Sequence, residues 1–343
     1  MTTAGPPPID LLVVGRGPAG AACALQAHRD GLRVLLVGDE PIGGLVRAAR
    51  RLDNLPGLAR TAGADLAIRI EDQLRDAGVP TRAARVVAIT RKDDWFAALA
   101  EPVATDGPGN ASQGRAGLEA GTGEAHDAGR ESRWTVRAIC LATGTRPRAW
   151  PPAAGCHVVR DARALPPSLD ARRVVVVGGG EAALDTALCA LDRGAHVTIL
   201  ARGGMLHGSP ALLDEVRASR AVVRLGTVVT GASRAGDRWT IRLGDGGILE
   251  ADVLAACVGR EPRLDLWNSL GQGPLDASVE QPRAPGVFAA GDLIRGRDRY
   301  VATAMGDGQR AALAAAASLG GVRGVRAVRE ERGGGARGKR NNR

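Results

Sequence analysis

Aromatic side chains are nearly missing: two phenylalanines, one tyrosine and five tryptophans make up 2% of the 343 residues. Lysine is as scarce, with Lys92 and Lys339 alone against a large arginine count, a bias of composition rather than a mark of chemistry. The five cysteines (Cys23, Cys140, Cys156, Cys189 and Cys257) include no CxxC pair, which excludes a local dithiol and gives no disulfide framework. The five histidines are scattered without ligand spacing, so no metal site is expected. No run approaches the roughly 20 apolar residues that a membrane-spanning helix needs, and no membrane association is expected. The opening MTTAGPPPID lacks a basic segment followed by an export-length apolar stretch, which predicts a cytoplasmic location.

What is present is globular: 44% of residues are apolar and 24% charged, in a chain long enough for two domains, each with its own core. The formal charge of +9 is unevenly spread. From Gly320 to Arg343 eight Lys/Arg stand against Glu330 and Glu331, a net of +6, so most of the excess sits in a terminal stretch. That stretch is Gly-rich and without apolar period, and is expected to be a disordered basic tail from 321 to 343. A solvated tail explains it; attraction to an acidic partner is the other reading, and nucleic acid is not expected to be the main partner.

Two β-α-β units punctuate the chain. Asp10 to Val14 is an apolar run ending in GRGPAG, followed by a small-residue helix from Pro18 to about Asp30 and a second apolar run from Arg33 to Val37. The order recurs at Arg173 to Val177, GGGEAA, a helix to about Arg193, and His196 to Leu200. Each such unit builds one nucleotide crevice at the carboxyl ends of its strands, so the repetition predicts two nucleotide-binding domains. Further strands are predicted at Arg85 to Thr90, Trp134 to Leu141, Ala221 to Leu225, Arg238 to Leu243 and Asp252 to Cys257. A last helix is predicted from about Tyr300 to Ser318. Residues 101–132, polar and without period, read as a flexible surface insertion, with a functional lid as the alternative.

In the first unit Gly15, Gly17 and Gly20 have dinucleotide spacing. The first makes the tight turn, the second lets backbone approach a pyrophosphate, and the third allows helix to meet strand. Pro18 and Ala19 open the helix, whose N-terminal N–H groups and positive partial charge suit phosphates. Where a carboxylate would hold ribose hydroxyls stands Gly38, with Asp39 and Glu40 immediately after. The second copy is Gly178, Gly180 and Ala183, with Glu181 and Ala182 in the first helical turn. Its second strand ends in Ala201 and Arg202, with no carboxylate. Arg202 suits a 2′-phosphate and serves equally as an ordinary surface arginine, so NADPH and NADH both stay open.

Further segments follow in order: GGL at Gly43 to Leu45, LDNLPG at Leu52 to Gly57, LATGTRPR at Leu141 to Arg148, CVGREPR at Cys257 to Arg263, and GVFAAGD at Gly286 to Asp292. Together these motifs resemble the low-molecular-weight thioredoxin reductase-like flavoproteins of the pyridine nucleotide-disulfide oxidoreductase superfamily, from Ile9 to about Gly320. The resemblance implies an α/β fold of two Rossmann-like, three-layer ββα domains, with the NAD(P)H domain inserted into the FAD domain. The FAD domain would take 1–146 and 262–320, and the NAD(P)H domain 147–261. On that template Gly43, Gly44 and Asn54 lie along FAD, and Ala142, Thr143 and Gly144 mark the exit from the FAD domain. Gly259 sits in the return crossing, and Gly291 and Asp292 reach the ribityl and phosphate region. Arg299, Tyr300 and Val301 pass the flavin ring, where Tyr300 either covers the flavin or simply packs. A helix starting near Val301 would aim its positive end at the flavin pyrimidine. The resemblance also implies a homodimer and a rotation of the two domains about hinges near Thr145 to Pro147 and Gly259 to Pro262.

The departure is the active site. The CxxC of thioredoxin reductases would fall, by spacing from Gly178, on Asp161, Ala162, Arg163 and Ala164. With no thiol there, electrons must leave directly from the flavin, as in the ferredoxin–NADP reductases of the thioredoxin reductase type. The expectation is an FAD-dependent oxidoreductase taking hydride from NADPH or NADH, with no catalytic side chain of its own. Its electron acceptor would be a ferredoxin-like protein, a thiol protein or a small molecule. Disulfide reduction through a non-standard thiol such as Cys156, and a redox sensor with a degenerate site, are the rivals. Flavin monooxygenase chemistry is set aside because its FxGxxxHxxx(F/Y) signature is absent.

Overall fold

The computed structural model describes residues 9–103, 131–275 and 284–320. The chain begins β1 (Ile9–Val14), α1 (Pro18–Arg29), β2 (Val34–Gly38), α2 (Gly63–Asp76), β3 (Thr81–Lys92), β4 (Trp95–Pro102) and β5 (Ser132–Leu141). A short β6 (Thr145–Pro147) leads to β7 (Arg173–Val177), α3 (Glu181–Asp192), β8 (His196–Leu200), α4 (Pro210–Ala218) and β9 (Val222–Arg224). Then come β10 (Val229–Ala235), β11 (Arg238–Leu243), β12 (Ile248–Ala251), β13 (Val253–Ala256), β14 (Arg260–Pro262), α5 (Asp265–Ser269), β15 (Val287–Ala289) and α6 (Val301–Ser318).

Two three-layer units result. In the first, β1 pairs in parallel with β2 and β5, β5 with β15, and β2 with the start of β3. The far end of β3 turns into an antiparallel ladder with β4 and the start of β5. The second unit repeats the plan, with parallel strands in the order β13-β7-β8-β9 and an antiparallel β10-β11-β12 sheet. Both faces of each parallel sheet are covered, which is why these strands are continuous apolar runs rather than alternating ones. Leu11 and Val13 face the helices, and Leu12 and Val14 face the antiparallel layer. Val174 and Val176 face α3 while Val175 and Val177 face β10 to β12. The units are joined by the antiparallel ribbon of β6 and β14.

Predicted and observed elements agree within a residue or two at β1, α1, β2, β7, α3, β8, β11 and α6. Other features differ, and the strands β4, β10 and β12 are among the elements without a predicted counterpart. The helices α2 and α4 were not anticipated, although α2 buries Leu66, Ala67, Ile70 and Leu74 on one face. The strand predicted at Arg85 to Thr90 is the middle of the longer β3. The insertion predicted at 101–132 is narrowed, because Glu101 and Pro102 close β4 and Ser132 opens β5. What remains of it, 104–130, and the tail at 321–343 lie outside the described residues.

Candidate functional site

A cleft of about 1270 Å³ runs along the carboxyl ends of the first sheet and is closed on one side by the second unit. Its floor is the first glycine turn. Gly15 adopts φ +116°, and a side chain there would overlap the Ala142 carbonyl. A methyl at Gly20 would overlap the Gly15 carbonyl, so this glycine lets α1 sit against the strand turn. Gly17 is different: nothing lies within 4 Å of where its side chain would begin. The same holds for Gly180 in the second turn, while a side chain at Gly178 would overlap the Cys257 carbonyl and meet Ala183 at 3.0 Å.

Room beside Gly17 and Gly180 coincides with open helix ends. Gly17 and Gly180 are the N-caps of α1 and α3, and Tyr300 is that of α6; none supplies a side-chain cap bond. In contrast, Ser209 caps α4 by accepting from the Leu212 N–H. Three helix N-termini with unserved N–H groups thus point at ligand space. A glycine cradle with room for a close approach beneath an uncapped helix is what the diphosphate of a dinucleotide fits, so the residues present suit the predicted cofactors.

The other predicted residues divide into three sets. Pro18, Ala19, Asp39, Glu40, Gly44 and Asn54 line the cleft, as do Ala142, Thr143 and Gly144. So do Glu181, Ala182, Gly259, Asp292, Arg299, Tyr300 and Val301. Gly20, Gly43, Gly178, Ala183 and Gly291 shape it from behind: Gly43 and Gly291 hold φ values of +93° and +71°. Arg202 does neither. It is exposed beyond the end of β8, outside the cleft lining.

Charges around the cleft are paired across it. Arg163 donates to Glu40 at 2.8 Å, and Arg263 lies 3.5 Å from both Asp39 and Glu40. Asp161, standing where relay thiols were sought, is the N-cap of a 3-10 turn over Ala162–Ala164. Burial alone would push the Asp161 carboxyl up, but its bonds from Arg163 outweigh this and hold it below the ordinary value. At the far end burial pushes the Asp292 carboxyl up, against the pull of Arg299 and Arg260. Sequence reasoning missed Arg160, Asp161, Arg163 and Arg260 as lining residues. Arg260 carried a signal as part of CVGREPR, and Asp161 and Arg163 as residues of the segment where the CxxC would fall.

The thiols are poorly placed for chemistry. Cys23 and Cys140 are free thiols, fully buried side by side, and hydrogen bonding with Cys140, together with burial, pushes the Cys23 thiol well up. Burial pushes Cys189 up to about 12 and Cys257 up to about 11. Such thiols are not thiolates near neutral pH. Cys156 is half-buried and lies outside the cleft lining. Among the described residues no group of three or more His, Cys, Asp or Glu is arranged to hold a metal ion, and no helix is long and apolar enough to cross a membrane.

A family model described as pyridine nucleotide-disulphide oxidoreductase matches residues 9–308. A 34.2 kDa protein in the rubredoxin operon of Clostridium pasteurianum is 26% identical over 325 residues, covering 90% of this chain and 96% of that protein. The thioredoxin reductase of Mycolicibacterium smegmatis is 27% identical over 323 residues, covering 89% and 94%. A component of the alkyl hydroperoxide reductase of Pseudomonas putida is 28% identical over 334 residues, and the chain spans only 57% of its length. Among solved structures, the thioredoxin reductase of Lactococcus lactis in its FR conformation superposes with a TM-score of 0.74 at 20% identity, covering 91% of this chain and 99% of that one. That of T. acidophilum gives 0.73 at 22% identity, covering 90% and 98%.

Proposed function

Because the chain belongs to the pyridine nucleotide-disulphide oxidoreductase family and is an FAD-dependent oxidoreductase of the thioredoxin reductase-like class, we propose that it takes hydride from NAD(P)H and passes electrons from its flavin straight to an external acceptor. The observation that carries this is one cleft lined by the first glycine turn, the start of α6 and the first turn of α3, with Asp161 and Ala164 at the positions where relay thiols would stand.

Residues 1–146 and 262–320 form the flavin unit in this proposal, and 147–261 the nicotinamide unit. The N–H groups opening α1 hold the FAD diphosphate over Gly17, Asp39 and Glu40 face its ribose, and Asp292 accepts from the ribityl hydroxyls. Arg299 and the uncapped start of α6 face the pyrimidine edge, where positive partial charge favours the reduced ring. The N–H groups opening α3 hold the diphosphate of NAD(P)H. When bound, FAD supplies the hydride-accepting centre and the means of passing electrons on. The protein's contribution is orientation and exclusion of water, which suffices for hydride transfer without a side-chain acid or base.

The acceptor is external, a redox protein or a small molecule. Stopped-flow mixing of FAD-reconstituted protein with NADPH or NADH under argon tests the proposal. Bleaching of the flavin band near about 450 nm is expected, unchanged in rate by Cys156→Ser and Cys257→Ser. Loss of turnover with a disulfide acceptor in either variant would move the assignment to thiol chemistry. A flavin that binds but is never bleached would make the chain a nucleotide sensor.

A further inference from the structure

The two units are tied together far more firmly than a two-strand ribbon requires. Arg50 and Arg51 follow the 3-10 turn Gly44–Ala48 of the flavin unit. The Arg50 backbone N–H donates to Asp185 Oδ2 at 2.9 Å, and its guanidinium bonds Asp192 and also Glu215, the latter at 2.6 Å. Arg51 donates to the other oxygen of Glu215 at 3.1 Å. Asp185 and Asp192 lie two turns apart on α3 and Glu215 is on α4, so two adjacent arginines grip two helices of the other unit. Across the cleft, Arg163 of the nicotinamide unit holds Glu40 at the end of β2.

Exposed single pairs contribute little. This is a shared network whose centre is shielded: the Arg50 and Glu215 side chains are 22% and 27% exposed. Charge-assisted, multidentate bonds in such a setting together leave an alternative orientation at a few per cent or less. The orientation so held is the one in which the first turn of α3 opens into the flavin cleft.

We infer that Arg50, with Arg163 on the opposite flank, is a positioning residue that fixes the two units in a single orientation in which hydride transfer occurs. The inference rests on the direct-transfer reading proposed above. Where an internal thiol pair and the nicotinamide must take turns at one flavin, the units must swing; where the chain itself brings only the nicotinamide to the flavin, one fixed orientation serves. Arg163, between the two positions where relay thiols would stand, here serves the clamp.

The test compares the FAD-loaded full chain with Arg50→Ala, Arg50→Lys and the pair Asp192→Asn, Glu215→Gln, which removes the same bonds from the other unit. Small-angle X-ray scattering reads the arrangement, and stopped flow separates the limiting flavin reduction rate from the NADPH dissociation constant. Arg50→Ala is expected to broaden the distance distribution and slow limiting reduction by about tenfold, with the dissociation constant moving less than about twofold. Arg50→Lys should recover part of the rate, since lysine keeps the charge without the fork. The carboxylate pair should reproduce the alanine variant. Wild-type rates and unchanged scattering in both Arg50→Ala and the carboxylate pair would overturn the clamp. A wild-type flavin that NADPH never bleaches would end the direct-transfer reading instead, and scattering alone would then decide whether the clamp exists.

Discussion

Gly17 and Gly20 sit three positions apart in one motif and do unlike work. Gly20 is crowded by the Gly15 carbonyl, whereas Gly17 faces nothing within 4 Å. Gly20→Ala must therefore push α1 off the strand turn, at a cost of about 3 kcal/mol in the apoprotein. Gly17→Ala should leave urea unfolding of the apoprotein unchanged and weaken FAD binding at least about tenfold, because its methyl stands where the diphosphate must approach. Equal destabilisation of the apoprotein by both would refute this division. The spacing of these glycines was legible in sequence; which of them is crowded was not, since that depends on how the turn folds the Gly15 carbonyl back against the start of α1. Asp307 was not legible at all. It is 2% exposed in α6 and receives Arg295 at 2.9 and 2.5 Å and Arg310 at 2.5 Å. Burial would raise its carboxyl, but these bonds prevail and hold it below the ordinary value. A depressed carboxyl stabilises the fold fully above its unfolded pKa of about 3.9 and ceases to do so as pH falls through the folded value. Asp307→Asn should thus cost about 2 to 3 kcal/mol at pH 7 and flatten the acid limb of a stability-versus-pH curve; an unchanged acid limb would count against it.

At the scale of elements, what could be read locally was read well. The buried parallel strands announced themselves as runs such as LLVV and VVVV, and α6 as a run of alanines. The small residues also set its depth: a methyl at Gly308 would overlap the Ala19 carbonyl, so α6 lies directly on α1. What went unread included α2 and α4, whose apolar residues are separated in sequence by charged ones, and the contacts made between strand ends. One of these bears on cofactor choice. The last residues of β8 and β9 are in register, Leu200 with Arg224, and the Ala201 N–H donates to the Arg224 carbonyl at 2.9 Å. Arg202 and Arg224 therefore leave adjacent strand ends, both exposed, with no carboxylate between them. A single arginine after β8 left NADPH and NADH open; the second, brought in by β9, favours a 2′-phosphate. Arg224→Ala should lower kcat/KM for NADPH by about tenfold, the loss of one charge-assisted phosphate bond, and leave NADH unaffected. Equal losses with both nucleotides would show that Arg224 serves the fold rather than the phosphate.

For the whole molecule, the doubled β-α-β pattern was enough to predict two units, but not which pieces of chain build each. The helix-side core of the flavin unit takes Leu11, Val13 and Leu36 from the beginning, Ala138 and Cys140 from the middle, and Phe288, Ala304 and Ala312 from the end. The cores of the nicotinamide unit draw on one continuous stretch, from Ala153 to Ala256. The ion pairs joining the units were invisible in sequence, because Arg50 and Asp192 are 142 positions apart and each reads as ordinary surface. Continuity has a measurable consequence. A fragment of residues 148–262 keeps every member of both its cores, including Trp239, which is 3% exposed, and should unfold in urea as one cooperative transition followed by tryptophan fluorescence. A chain ending at 262 loses β15 and α6, and with them the cover over α1, Asp292 and the start of the helix aimed at the flavin. It should show the nicotinamide unit's transition but not the second one, and should come off a size-exclusion column without FAD. If the shortened chain instead held flavin at the stoichiometry of the full one, the first and last thirds would not form one folding unit, and the cleft would have to be built from the first third alone.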